Sequence, residues 1–193
     1  MMAWLSRISN LWLELEKKIV TLLAAALLLL ILLNIVTREL QAALFWVDEL
    51  AVYTMIWMAF IGASVMVRMR SGVAVTIVVD LLPAGLQRVL ARLVDAIILI
   101  FALALLVLCW RWYDPLALAQ NGFDFDRFAA NTFKFIYSEP TSTIGIKKFW
   151  IWLAVPVMAL GMTLHALANL VEGPGSVNWG PDPEGSDPKH PSA

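Results

Sequence analysis

The sequence predicts an all-α membrane protein: four transmembrane helices plus interfacial amphipathic helices. Three observations carry this. The 193 residues are 61% hydrophobic and 15% charged, with a mean hydropathy of +0.77, whereas soluble domains run nearer half apolar and a quarter charged. The charge is also unevenly spread, because residues 19–36, 50–67, 96–110 and 149–171 contain no Asp, Glu, Lys or Arg. Finally, a helix rises about 1.5 Å per residue and the hydrocarbon core is roughly 30 Å thick, so such windows are long enough to cross. The third is short, but Leu93 and Val94 extend it, with Asp95 near the interface.

Taken in order, residues 4–17 set Trp4, Leu5, Ile8, Leu11, Trp12 and Leu15 at helical spacing, with Arg7, Glu14 and Lys18 on the polar face. That pattern fits an amphipathic helix lying in the interface; the alternative is a cytoplasmic extension of the first membrane helix. The first crossing spans 19–38 and reads as retained, because "NIVTREL" follows it in place of a small-residue cleavage motif. The second spans 48–69. Asp48 and Glu49 open it and Arg68 and Arg70 close it, which complements the positive start and negative end of a helix dipole. Arg38 closes the first helix at the same surface. A salt-bridged clasp to Asp48 and Glu49 fits this spacing, and so do three separately solvated charges.

The second connection, "VAVTIVVDLLPAGLQRVLAR", is too apolar for a free loop. Pro83 divides it into two expected short interfacial helices, with Arg88 and Arg92 on one face. The third crossing spans 92–112. The outer connection, 113–146, is rich in aromatics: Phe123, Phe125, Phe128, Phe133, Phe135 and Tyr137. A structureless loop of that length is unusual, so it is expected to fold as a cap, either docking a partner or packing on its own helices. The fourth crossing spans 147–171, kinked at Pro156. Residues 1–172 thus form one membrane domain. Residues 173–193, dense in Gly and Pro, are expected to be a disordered cytoplasmic tail. Lys and Arg in the short flanks place both termini in the cytoplasm: Arg7, Lys17, Lys18, Arg68, Arg70, Arg88 and Arg92 share one side.

The chemistry is sparse. A net charge of −1 provides no basic field for nucleic acid. Cys109 is the single cysteine, so neither an internal disulfide nor a thiolate metal cluster is available. Ionisable residues inside the bilayer mark transport or redox sites, and the four windows carry none with a formal charge. The polar candidates there are Asn34, His165 and Asn169. The only other histidine, His190, lies in the tail, so a bis-histidine haem has no support, and His165 reads as a hydrogen-bonded packing residue. No spacing suggests a metal, a cofactor, a nucleophile–base pair or a phosphate loop. No pair of Gly/Pro-broken helices suggests a midplane transport site. Trp46, Trp110, Trp112, Trp150 and Trp152 fall near helix ends, as an aromatic belt requires. Trp57 lies about 14 Å along its helix from Asp48, near mid-membrane, and is expected to pack against protein. Gly62, Ala63 and Ser64 offer a small-residue surface for close helix contact.

The stretch from Arg38 to Gly72 resembles the small membrane subunit of tripartite ATP-independent periplasmic (TRAP) transporters, the DctQ-like family. That pattern is an Arg closing the first helix, then Trp-x-Glu-Glu-Leu, an aromatic-rich second helix, Gly-Ala, and a basic-Gly turn. Arg38, Trp46, Asp48, Glu49, Leu50, Trp57, Gly62, Ala63, Arg70 and Gly72 follow it, with Asp48 in place of the commoner Glu. Where the family often has a His-hydrophobic pair after the turn glycine, this chain has Val73 and Ala74. The segment "STIGIKKFWIWLAVPVMALGMTLHAL" resembles the family's fourth helix, and the likeness spans about residues 10–172.

The resemblance implies a scaffold subunit, not an enzyme and without cofactors, in the bacterial inner membrane. Its implied partners are a large permease subunit carrying the sodium and substrate sites, a periplasmic substrate-binding protein docking transiently, and membrane lipid. The implied substrates are organic acids, with four-carbon dicarboxylates suggested by the long outer connection. On this view Arg38, Trp46, Asp48, Glu49, Trp57, Gly62, Arg70 and Gly72 are interface or structural residues. The rival readings are a membrane anchor of a redox complex and a stand-alone assembly protein.

Overall fold

The computed structural model describes residues 2–70 and 83–173. Gly72 of the expected basic turn, the apolar stretch before Pro83 and the tail beyond Gly173 lie outside the described residues. Among the described residues seven helices follow one another: α1 (Met2–Glu39), α2 (Phe45–Met69), α3 (Ala84–Tyr113), α4 (Pro115–Gln120), α5 (Phe125–Thr132), α6 (Phe149–Trp152) and α7 (Ala154–Glu172). Four helical spans among the described residues are long and apolar enough to cross a membrane: Trp4–Glu39, Phe45–Met69, Gly85–Gln120 and Phe149–Glu172.

Helix α1 runs unbroken for 38 residues. It contains neither Gly nor Pro and is dominated by Leu and Ala, strong helix formers. The amphipathic stretch 4–17 is therefore a continuation of the first crossing, the second of the two arrangements open to the sequence. Helix α2 ends where Arg70 turns into the left-handed region (φ 49°), its N–H shared between the carbonyls of Met66 and Val67. Pro83 stands directly before α3, where a missing N–H is harmless because the first turn has no partner for it. From there the helix runs straight into the third crossing. The residues after Pro83 therefore do not form the separate short interfacial helix expected from the sequence. The spacing of Arg88 and Arg92 belongs to the first turns of α3.

The fourth crossing is interrupted at Leu153. Pro156 has no N–H to offer the carbonyl of Trp152, and the ladder resumes with Val157 N–H on Leu153 O at 3.1 Å. Helix α7 is the centre of the bundle and packs against α1, α2 and α3. Half of the apolar window of this span is buried inside the chain, against none of the window in α1. Ala102, Met158 and Met162 form the core between α3 and α7, closed by Phe60, Ala63 and Val67 of α2.

The outer connection has a core of its own. Leu118, Phe128, Ile136 and Tyr137 are buried together, with Tyr113, Phe125 and Phe149 against them. Phe125 stacks on Tyr137 with ring centroids 5.5 Å apart, and the Tyr137 hydroxyl donates to Tyr113 O at 2.8 Å. Burial, then the nearby Asp114 charge, pushes the Tyr137 phenol up from its ordinary pKa. Asp124 caps α5 by accepting from Asp126 N and Arg127 N at 3.0 and 3.1 Å. The cap thus packs on the ends of α3 and α6. Phe123, Phe133 and Phe135 remain exposed on its surface.

Candidate functional site

Short polar stripes on three helices meet in a buried seam at one end of the bundle. Helix α7 brings Gly161, His165, Asn169 and Glu172, helix α1 brings Ser9, Trp12 and Glu16, and helix α2 brings Ser64 and Arg68. The spacings of three and four residues place each set on one helical face. His165 Nε2 is hydrogen-bonded to Glu16 Oε2 at 2.9 Å, and Nδ1 to the Ser9 hydroxyl at 2.7 Å. Trp12 Nε1–H completes the chain by donating to Glu16 Oε1 at 2.8 Å. Ser9 and His165 are fully buried and Glu16 nearly so. Gly161 permits this closeness: a Cβ there would strike Ser64 Oγ and lie 2.5 Å from Glu16 Oε1.

One turn further along, the two arginines that close α2 gather the other helices. Arg68 makes a two-pronged pair with Glu172 at 2.8 and 2.9 Å, and also donates to Asn169 Oδ1 and Asn10 Oδ1, each at 2.7 Å. Arg70 donates to Asp95 Oδ2 at 2.6 Å and to Asn169 O at 2.9 Å. Asn169 in turn donates from Nδ2 to Val67 O at 2.8 Å. Arg68 and Arg70 therefore tie α1, α3 and α7 to α2. Complementing a helix dipole is the smaller part of what they do.

At the other end, Arg38 donates to Asp48 Oδ2 and Asn34 Oδ1, both at 2.8 Å, and Asn34 also donates to Asp48. Glu49 does not join them. Its carboxylate turns to the loop before α6, where it accepts from Ser142 N, Thr143 N and Oγ1, and Ile144 N, and from Tyr53 of its own helix. The adjacent acids thus serve different contacts, one between α1 and α2 and one between α2 and the cap.

The order Ser9–His165–Glu16 resembles a nucleophile–base–carboxylate chain, but its burial leaves no room for a substrate at the Ser9 oxygen. Both ring nitrogens of His165 are engaged, so neither is available to a haem iron. No group of three His, Cys, Asp or Glu gathers among the described residues. Of the other residues singled out in sequence, Trp46 is 43% exposed and Trp57 half-buried. A Cβ at Gly62 would meet nothing within 4 Å, and the close helix approach falls at Ser64 and Gly161 instead. Ser9 and Glu16 escaped sequence reasoning because Trp12 between them looked like part of an apolar face. Their spacing, with Trp12, at i, i+3 and i+7 was the available signal.

A sequence profile for the DctQ component of tripartite ATP-independent periplasmic transporters matches residues 27–173. The chain belongs to this family. The DctQ match takes in the outer clasp, Glu49 and its loop, both closing arginines and His165, but begins after Ser9, Trp12 and Glu16. A curated relative, the C4-dicarboxylate TRAP transporter small permease protein DctQ of Vibrio cholerae, is 26% identical over 125 residues, 64% of this chain. The chain spans about half the length of that relative, 54% being covered. Family and helices together make this a multi-pass inner-membrane protein.

Proposed function

We propose that the chain is the scaffold subunit of a sodium-coupled importer of organic acids. It works with a large permease subunit and a periplasmic substrate-binding protein, and both its termini are cytoplasmic. Four-carbon dicarboxylates are the substrate class, as the name of the Vibrio cholerae relative suggests. One observation carries the scaffold reading. The ionisable groups that the bundle removes from water, Glu16, Arg70, Asp95 and His165, are bonded to other residues of the same chain. An anionic substrate needs free donors within its reach; both terminal nitrogens of Arg70 are spent on Gly173 O, Asp95 and Asn169 O, and its Nε, though unpartnered, is sealed from solvent, so substrate handling falls to another subunit.

The surface agrees with this. The apolar window of α1 has mean hydropathy 3.0 and no residue buried inside the chain, and Gly62 leaves a notch on α2 facing open space. In lipid the hydrophobic effect does not drive helices together, so packing around small residues and large side chains must do so. Trp57, half-buried, is suited to complete such a contact with the permease. The test is reconstitution in vesicles under a sodium gradient. Succinate uptake is expected only with all three proteins present, and uptake by this chain alone overturns the reading. Trp57→Ala is expected to lose co-purification with the large subunit while the isolated chain keeps its thermal midpoint. Unchanged co-purification removes Trp57 from the interface.

A further inference from the structure

We infer that the loop Ser142–Thr143–Ile144 is a carboxylate receptor whose resident ligand is Glu49, and that this tethered ligand fastens the outer cap to α2. The stereochemistry of the site supports it. Oε1 accepts from Ser142 N at 2.7 Å and from the Tyr53 hydroxyl at 2.6 Å. Oε2 accepts from Thr143 N at 2.7 Å, from Ile144 N at 3.0 Å and from the Thr143 hydroxyl. Three successive backbone N–H groups converging on one anion form a nest, a concavity that binds anions through oriented peptide dipoles. Every donor is neutral. The site therefore recognises the shape of a carboxylate, two oxygens with lone pairs spread across separate donors, more than its bare charge.

The nest is built without Glu49. Thr141 N–H donates to Ile146 O at 2.7 Å, and Ile146 N–H donates to Thr141 Oγ1 at 3.0 Å. Lys148 N–H donates to Glu139 O at 2.9 Å below them. Gly145, with φ 76°, takes the left-handed turn that a side chain would strain. None of these bonds involves α2, so the loop holds its apical N–H groups in place on its own. A prebuilt receptor with a ligand supplied from elsewhere in the chain is an intramolecular complex. In the intact protein, dissolved carboxylates cannot compete with the high local concentration of a tethered one. Once the tether is removed, the receptor opens to small carboxylates.

The experiment compares the full chain in detergent with its Glu49→Ala variant, by thermal unfolding in sodium acetate or in sodium chloride of equal ionic strength. The alanine variant is expected to melt below the wild type and to regain more than half of the lost midpoint in acetate but not in chloride. The wild type is expected to respond to neither. Adding Thr143→Val to the alanine variant, which removes one donor, is expected to weaken the acetate response. An alanine variant as stable as wild type, or one restored equally by chloride, overturns the proposal. Amide hydrogen exchange in Glu49→Gln gives an independent reading should the alanine variant fail to fold. The amides of Ser142, Thr143 and Ile144 are expected to lose protection while that of Ile146 keeps it. Unchanged protection at the three amides, or loss at all four, overturns the proposal.

Discussion

Arg70 and Arg38 each donate to an aspartate, at 2.6 and 2.8 Å, in very different surroundings. The Arg70 and Asp95 side chains are 5% and 4% exposed, whereas those of Arg38 and Asp48 are 61% and 44% exposed. Distance alone therefore says little about what each pair does. A buried pair adds little net stability over apolar residues of equal volume, but removing one partner strands a charge in a poor solvent. An exposed pair is worth about 0–1 kcal/mol and is screened by salt. The two ends of the bundle are thus closed by the same chemistry with different stringency. The seam near α7 fixes how the helices align, and the outer clasp tolerates change.

The comparison can be broken most decisively at Arg70. Arg70→Ala is expected to destabilise the chain by about 3–5 kcal/mol, read as a lower thermal midpoint in detergent, and Asp95→Asn in the same chain is expected to restore part of the loss. A negligible drop would show that Asp95 finds water or another partner, and that the seam is not the stringent end. Next comes Gly161→Ala, which forces a methyl against Ser64 and Glu16 and is expected to cost about 1–3 kcal/mol. The same change at Gly62, where a Cβ has open space, is expected to leave the isolated chain unaffected. The smallest effect is expected at Arg38. Arg38→Glu is expected to lower stability by about 1 kcal/mol or less, with rescue by Asp48→Lys and none by Glu49→Lys. Rescue by Glu49→Lys would merge the two acids into one cluster.

These regions also differ in how far the sequence revealed them. The four crossings were legible because apolar composition and length alone decide them. Arg38 and Asp48 were legible because they stand ten residues apart across a short turn, with few ways to meet. The partner of Glu49 was not, since Ser142–Ile144 lies more than ninety residues further along the chain. The same holds for Ser9 and Glu16, separated from His165 by 156 and 149 positions. Local spacing shows which face a residue occupies. Which other face it will meet depends on the order in which helices assemble around α7, and no single stripe encodes that. Nor did composition show that the Phe-rich connection divides its aromatics, with Phe125 and Phe128 turned inward and Phe123, Phe133 and Phe135 outward.

Because α1 is continuous, it sets a fixed length between the two ends of the bundle. At 1.5 Å per residue, ~44 Å separates Ser9, anchored on His165, from Arg38, anchored on Asp48. That is longer than the hydrocarbon layer of a typical bilayer. A continuous helix of this length meets a thinner membrane by tilting and a thicker one by drawing the bilayer in around it. The subunit therefore acts as a spacer of set length, and whatever binds along α1 is held to the same depth in the lipid.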